Sequence, residues 1–211
     1  MFLFLKIDTS GLLRNDLPLS SDQQPWAVRI AFEHTDRDGK RINAIDVLVK
    51  ADGRSIKPGA LDVHGVSLRE SEQLGLKEAA TLHMLADAAG KSDLAISYAE
   101  FDTQVIDSLL IRLAAALKKD PETYRRRWRR PGLTFLTIQD PVAKIECALS
   151  SEVDGEEWRR PTLAEACDIL LPAGAQVSGS TTWTNLERTA RLFFTLRDKG
   201  HFQEVLPCSA A

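Results

Sequence analysis

The chain has 211 residues, of which 44% are hydrophobic and 27% are charged, and its formal net charge is −3 at pH 7. These values are ordinary for a soluble globular protein and predict one domain over residues 1–211; no apolar stretch approaches the roughly 20 residues that span a bilayer, which argues against a membrane partner. The acidic balance also excludes an overall attraction to nucleic acid, so any such binding must come from local basic patches.

The first predicted element is a buried strand over residues 2–7, which runs directly into Asp8. A carboxylate at the end of such a strand is costly to desolvate unless it caps the turn or faces a cation, so Asp8 is a candidate site residue. The apolar run is short, contains Lys6 and has no basic region before it, which favours a core strand over a signal peptide. We therefore expect a cytoplasmic protein.

Two further strands are predicted over residues 26–32 and 42–49, joined by a hairpin turn at residues 36–40. Three strands in an antiparallel meander therefore open the fold. From Ser71 the apolar residues recur at helical spacing until Gly90, which predicts one helix.

The second half of the chain alternates between the two types of element. Residues 94–97 form a short apolar strand, and a helix is predicted from Phe101, so the two begin an α/β unit. Residues 133–142 have strand-like or mixed composition. A helix start is predicted at Pro161, and the last long helix should end at Gly200.

The chain has one concentrated basic segment. Its members are Arg125, Arg126, Arg127, Trp128, Arg129 and Arg130. One interpretation is a nucleic-acid-binding patch in which bases stack on the aromatic residues Tyr124 and Trp128. The other is a solvated helix end whose arginines pair with Asp120 and Glu122, and the sequence leaves both open.

The cysteines give no sign of a metal site or a disulfide framework. Cys147, Cys167 and Cys208 lie in unrelated contexts without paired spacing, so buried thiols are the favoured interpretation.

Several segments resemble the motifs of the DEDD-type 3′-to-5′ exonuclease superfamily, the ribonuclease-H-like proofreading and RNA-trimming nucleases. Residues 8–12 read Asp-Thr-Ser-Gly-Leu and are similar to the family's first motif, Asp-Thr-Glu-Thr-Gly-Leu. Residues 63–67 resemble its His-Gly-Ile-Thr segment, and residues 95–102 resemble its second motif, which ends in a metal-binding aspartate at Asp102. The resemblance implies an α/β ribonuclease-H-like fold, with a mixed sheet opened by the meander and flanked by helices.

Three family positions carry other residues in this chain. Ser10 stands at the second carboxylate, and anchoring the last motif on residues 189–190 places Asn185 at the last aspartate and Ser180 at the general-base histidine. The resemblance therefore leaves Asp8 and Asp102 as metal ligands and implies that Ser10, Ser180 and Asn185 are degenerate catalytic positions.

The chemistry of the family explains why these changes matter. Two-metal hydrolysis needs two divalent ions about 3.5–4 Å apart, and two carboxylates offset only half of their charge. We expect at most one weakly bound Mg²⁺ or Mn²⁺, and without the histidine a general-base contribution of roughly 10²–10⁴ in rate is missing.

The leading hypothesis is therefore a protein that binds single-stranded nucleic acid through a degraded exonuclease centre. A first alternative is an active exonuclease that uses displaced carboxylates, for which Glu100 and Glu187 are candidates. A second is a protein-interaction scaffold or homo-oligomer that retains only the fold.

Overall fold

A computed structural model of the protein describes residues 1–139, 160–172, 174–179 and 181–206. The strands in these ranges are β1 (Phe2–Thr9), β2 (Ala27–Thr35), β3 (Arg41–Leu48), β4 (Leu94–Ser97) and β5 (Thr134–Thr137). The helices are α1 (Pro58–His64), α2 (Leu68–Leu74), α3 (Glu78–Ala89), α4 (Glu100–Ala116), α5 (Pro121–Trp128), α6 (Leu163–Leu170) and α7 (Thr182–Asp198).

The strands form one mixed sheet in the order β3-β2-β1-β4-β5. β1 pairs antiparallel with β2 and parallel with β4, β2 pairs antiparallel with β3, and β4 pairs parallel with β5. The predicted α/β architecture with an antiparallel opening meander is confirmed. Central β1 is buried on both sides, as its apolar composition requires.

Alternation along β1 assigns its side chains to two separate cores. Leu3, Leu5 and Ile7 pack in the core that contains residues of α3, α4 and α5. Phe2 and Phe4 pack in the core that contains residues of α6 and α7. Because side chains two residues apart share a face, Lys6 and Asp8 continue the row of Phe2 and Phe4 towards α7.

The helix predicted from Ser71 to Gly90 is wrong in one respect, because α2 ends at Leu74 and α3 begins only at Glu78. Between these helices, the backbone of Leu76 pairs with the end of β3 and the residues just after it. The N of Leu76 donates to the carbonyl of Leu48 at 2.8 Å, and the carbonyl of Leu76 accepts from the N of Lys50 at 2.7 Å. A Cβ at Gly75 would lie 2.4 Å from the carbonyl oxygen of Ser71. Tertiary backbone pairing therefore overrides a helical pattern.

Most of the other elements agree with the sequence, although helix α1 (Pro58–His64) was not predicted. α6 begins after Thr162, whose side chain caps it, and α7 ends just before Gly200. Cys167 is buried, and that burial raises the pKa of its thiol to about 11, which confirms a buried thiol there. Cys147 and Cys208 lie outside the described residues. Within those residues, no helix is long and apolar enough to cross a membrane.

Candidate functional site

A cleft of about 560 Å³ opens at the carboxyl end of β1. It is lined by the end of that strand, the turn at Gly11 and Leu12, helix α1, Phe101 of α4 and Asn185 of α7. The predicted residues Asp8 and Asn185 therefore lie in one cleft, although they are far apart in the sequence.

Asp8 is half-buried, and its carboxylate has a protein partner. The hydroxyl of Thr182, the first residue of α7, donates a short hydrogen bond to Oδ2 of Asp8. The carboxylate therefore lies at the amino end of a 17-residue helix, where the helix dipole favours negative charge.

Asp102 lies in the first turn of α4 and is 1% exposed. Its Oδ1 accepts hydrogen bonds from the backbone N of Ile7 at 3.0 Å and from Nζ of Lys6 at 2.9 Å. A buried carboxylate needs such partners because desolvation of an unpaired charge is costly. Asp102 thus joins the start of α4 to the end of β1.

Lys6 is the cleft residue that the sequence reasoning missed. Burial alone would lower the pKa of Lys6, but the charge of Asp102, the hydrogen bond to it and the charge of Asp8 together raise that pKa. Nζ also donates to the carbonyl of Ile7 at 3.1 Å, and the side chain is only 21% exposed. A lysine within an apolar strand, two residues before Asp8 and on the same face, was the available signal.

The degenerate family positions have separate surroundings. Ser10 is 6% exposed, and its hydroxyl accepts a hydrogen bond from the backbone N of Trp26 at 3.2 Å, so it fastens the end of β1 to the start of β2. Asn185 lines the cleft, and its Oδ1 accepts from Arg188 at 3.1 Å. Ser180 lies outside the described residues.

His64 ends α1 and also lines the cleft. Its Nδ1 accepts a hydrogen bond from the backbone N of Val66 at 3.0 Å, so the ring stabilises the turn that follows α1. Burial lowers the pKa of His64, while the charge of Asp8 and the backbone of Thr9 act in the opposite direction. Its imidazole is therefore mainly neutral at pH 7.

The described part of the cleft does not fit a pair of divalent ions. Within the described residues, no group of three or more histidine, cysteine, aspartate or glutamate side chains could hold a metal. Glu187 binds Arg41 at 2.8 Å on another surface, and Glu100 is exposed; neither lines the cleft. Asp8 and Asp102 already accept hydrogen bonds from protein donors.

Solved structures with the same architecture share little sequence with this chain. The zinc-bound complex of E. coli exonuclease I with single-stranded DNA matches with a TM-score of 0.67 and 16% identity over 94% of this chain. A product-bound structure of exonuclease I matches with a TM-score of 0.69 and 18% identity over 93% of this chain. Exonuclease I from Methylocaldum szegediense matches with a TM-score of 0.67 and 18% identity over 97% of this chain. The chain has the exonuclease I fold.

This chain spans only about 40% of the length of those exonuclease I structures; the shares of their chains are 40%, 43% and 41%. No protein-family model and no curated protein matches the sequence.

On this exonuclease I fold, the basic segment covers the last turn of α5 and the two residues after it, and none of its residues lines the cleft. Trp128 is 0% exposed and packs edge-on against Phe135, with ring centroids 4.8 Å apart. The prediction that bases stack on Trp128 is wrong, because its ring belongs to the core between α5 and β5.

Most of the arginines have structural partners. Arg129 binds the buried Asp107 with a closest distance of 2.6 Å, and Arg130 donates to the carbonyls of Ala89 and Ser92 near the end of α3. Arg125 contacts Glu122 at 3.2 Å.

The outer end of α5 is the part of the segment that faces solvent. Arg126 and Arg127 are exposed, and Arg126 lies 3.7 Å from Glu122. The helix-end interpretation is confirmed for the pairing with Glu122, whereas Asp120 caps the start of α5. A nucleic-acid role remains a prediction for Arg126 and Arg127.

Proposed function

We propose that this protein binds single-stranded nucleic acid in the cleft at the end of β1 and hydrolyses it weakly or not at all. The observation that carries the proposal is that the two remaining carboxylates have protein partners, Thr182 for Asp8 and Lys6 for Asp102. The fold supports the choice of ligand, since exonuclease I structures of this fold are complexes with single-stranded DNA and with dT13 and dA16 oligonucleotides.

The lining of the cleft suits the end of a single-stranded nucleic acid. Leu12 and Val63 are 77% and 75% exposed, and together with Phe101 they offer an apolar surface to a nucleobase. The exposed Lys57 lies at the same cleft and can attract a phosphate. Aromatic stacking and a positively charged groove are the two elements of sequence-tolerant binding of single strands, and Phe101 and Lys57 are the cleft residues of these kinds.

The same cleft is poorly suited to hydrolysis. Asp8 and Asp102 carry half the charge that two divalent ions require, and we propose that at most one Mg²⁺ or Mn²⁺ is held, weakly. The neutral Asn185 adds no charge, and the surroundings of Glu100 and Glu187 do not support an active enzyme with displaced carboxylates.

One observation favours the interaction-scaffold alternative. Large apolar side chains are exposed along α1 and α2, among them Leu61 at 39%, Leu68 at 46% and Leu74 at 69%. Single exposed apolar residues are ordinary, but a group on neighbouring helices suits contact with another protein.

The test is binding of a 3′-labelled single strand, measured by fluorescence anisotropy, together with product length over time in Mn²⁺. We expect binding without progressive shortening. The double variant Leu12→Ser/Val63→Ser should weaken binding about tenfold, or ~1.4 kcal/mol, because it removes exposed apolar contact without disturbing the core.

Ile42→Ser/Ile169→Ser is the matched control, because these side chains are 56% and 49% exposed on other surfaces. Its affinity should equal that of the wild type. Robust digestion that Asp8→Ala abolishes would instead select the active-exonuclease alternative, and absence of binding at low salt would select the scaffold.

A further inference from the structure

We propose that the ammonium group of Lys6 takes the place of a divalent metal ion in this cleft, so that the protein binds its strand without metal. The inference rests on the proposed function, in which Asp8 and Asp102 are what remains of an exonuclease centre.

The position of Lys6 is the first argument. It shares a face of β1 with Asp8, and its Nζ lies 2.9 Å from Oδ1 of Asp102. This positive charge therefore contacts Asp102 directly and acts on Asp8 at longer range. The ammonium reduces their combined charge from −2 to −1.

The state of Asp102 is the second argument. This residue is 1% exposed, and the same Oδ1 that meets Lys6 also accepts from the backbone N of Ile7 at 3.0 Å. Mg²⁺ usually keeps several waters in an octahedral shell and dehydrates reluctantly, so a buried and occupied oxygen is a poor ligand for it. An ion at Oδ1 would also have to displace Lys6, leaving that ammonium without its partner.

Asp8 is the more accessible of the two carboxylates. Its Oδ2 accepts from Thr182, so an ion held by Asp8 alone would compete with that hydrogen bond and with the repulsion of the nearby ammonium. One oxygen of each carboxylate is thus engaged by a protein donor, and Lys6 adds a positive charge that repels a second cation. Removal of the ammonium should create a site for one ion.

The experiment titrates Mn²⁺ into the full chain without nucleic acid and measures free Mn²⁺ by electron paramagnetic resonance. Wild type should bind none at millimolar Mn²⁺. Lys6→Met should bind one ion, and Lys6→Met/Asp8→Asn should lose it. Thermal unfolding gives a second readout: Mn²⁺ about 100-fold above its Kd should raise the Tm of Lys6→Met by about 5–10 °C and leave that of wild type unchanged.

Arg129→Met is the matched control, since it also removes the cationic partner of a buried aspartate on α4, Asp107. It should lose stability without rescue by Mn²⁺. If Lys6→Met does not fold, Lys6→Gln, which can still donate to Asp102, takes its place in the titration. One Mn²⁺ bound by wild type and lost in Asp8→Asn would overturn the inference, as would a Lys6→Met or Lys6→Gln protein that binds none.

These readouts involve no nucleic acid, so their failure is separate from a failure of the proposed function. One further measurement tests the role of Lys6 together with nucleic-acid binding. The affinity of the wild type for a single strand of nucleic acid should be the same in EDTA and in Mn²⁺. Strand binding that requires a divalent ion would contradict the role of Lys6 and leave strand binding itself established.

Discussion

At the scale of single residues, the cleft contains two basic groups whose pKa values move in opposite directions, Lys6 and His64. The neighbouring carboxylates raise the pKa of Lys6 despite its burial, while burial lowers that of His64. At pH 7 the cleft therefore presents an ammonium and a mainly neutral imidazole. The positive charge that can attract a polyanion there comes from the exposed Lys57, because the ammonium of Lys6 is balanced by carboxylates and His64 is mainly neutral.

We predict that the pKa of His64 lies below its usual 6.5 in the folded protein and falls further in Asp8→Asn, because that variant removes a charge that raises it. A lowered folded pKa means that the stability linked to this group is present above about pH 6.5 and is lost as the pH falls below it. NMR titration of the His64 ring protons, assigned with His64→Gln, measures both values. A pKa at or above 6.5, or a rise in Asp8→Asn, would contradict the prediction.

At the scale of elements, α5 shows where local sequence is insufficient. Its helix-end character follows from nearby residues, since Asp120 caps it and Glu122 pairs with arginines one turn later. The burial of Trp128 and the binding of Arg129 to Asp107 depend on β5 and α4, which lie elsewhere in the sequence. Local composition could not separate structural arginines from exposed ones.

We predict that Arg126 and Arg127 contact phosphates when a single strand binds. Arg126→Ala/Arg127→Ala should then reduce the slope of log affinity against log salt by about 1.4, at about 0.7 per contact on a single strand. The measurement is anisotropy over a salt series.

Lys40→Ala/Lys91→Ala removes the same charge from exposed positions on other surfaces and should leave the slope unchanged. An equal slope in both double variants and the wild type would reject α5 as a nucleic-acid surface.

At the scale of the whole molecule, the order of weak motifs was sufficient to predict the fold. The five strands form the expected mixed sheet, in which β1 carries Asp8 and β4 leads into the helix that carries Asp102. Sequence identity to the exonuclease I structures described above is only 16–18%. The resemblance to the exonuclease motifs assigned Asp8 and Asn185 to one site, and both line the cleft. The role of Lys6 could not be predicted in this way, because its partner Asp102 lies 96 residues away and only the packing of α4 against β1 brings them together.

The central claim is that the cleft binds a single strand of nucleic acid and holds no pair of metal ions. Anomalous diffraction from a crystal soaked in Mn²⁺ with a short single strand tests this claim most directly. We predict strand density in the cleft beside Leu12 and Val63, Lys6 in contact with Asp102, and no pair of Mn²⁺ ions on the carboxylates. Two Mn²⁺ ions bridged by Asp8, with Lys6 displaced, would contradict the proposal and identify a working exonuclease centre.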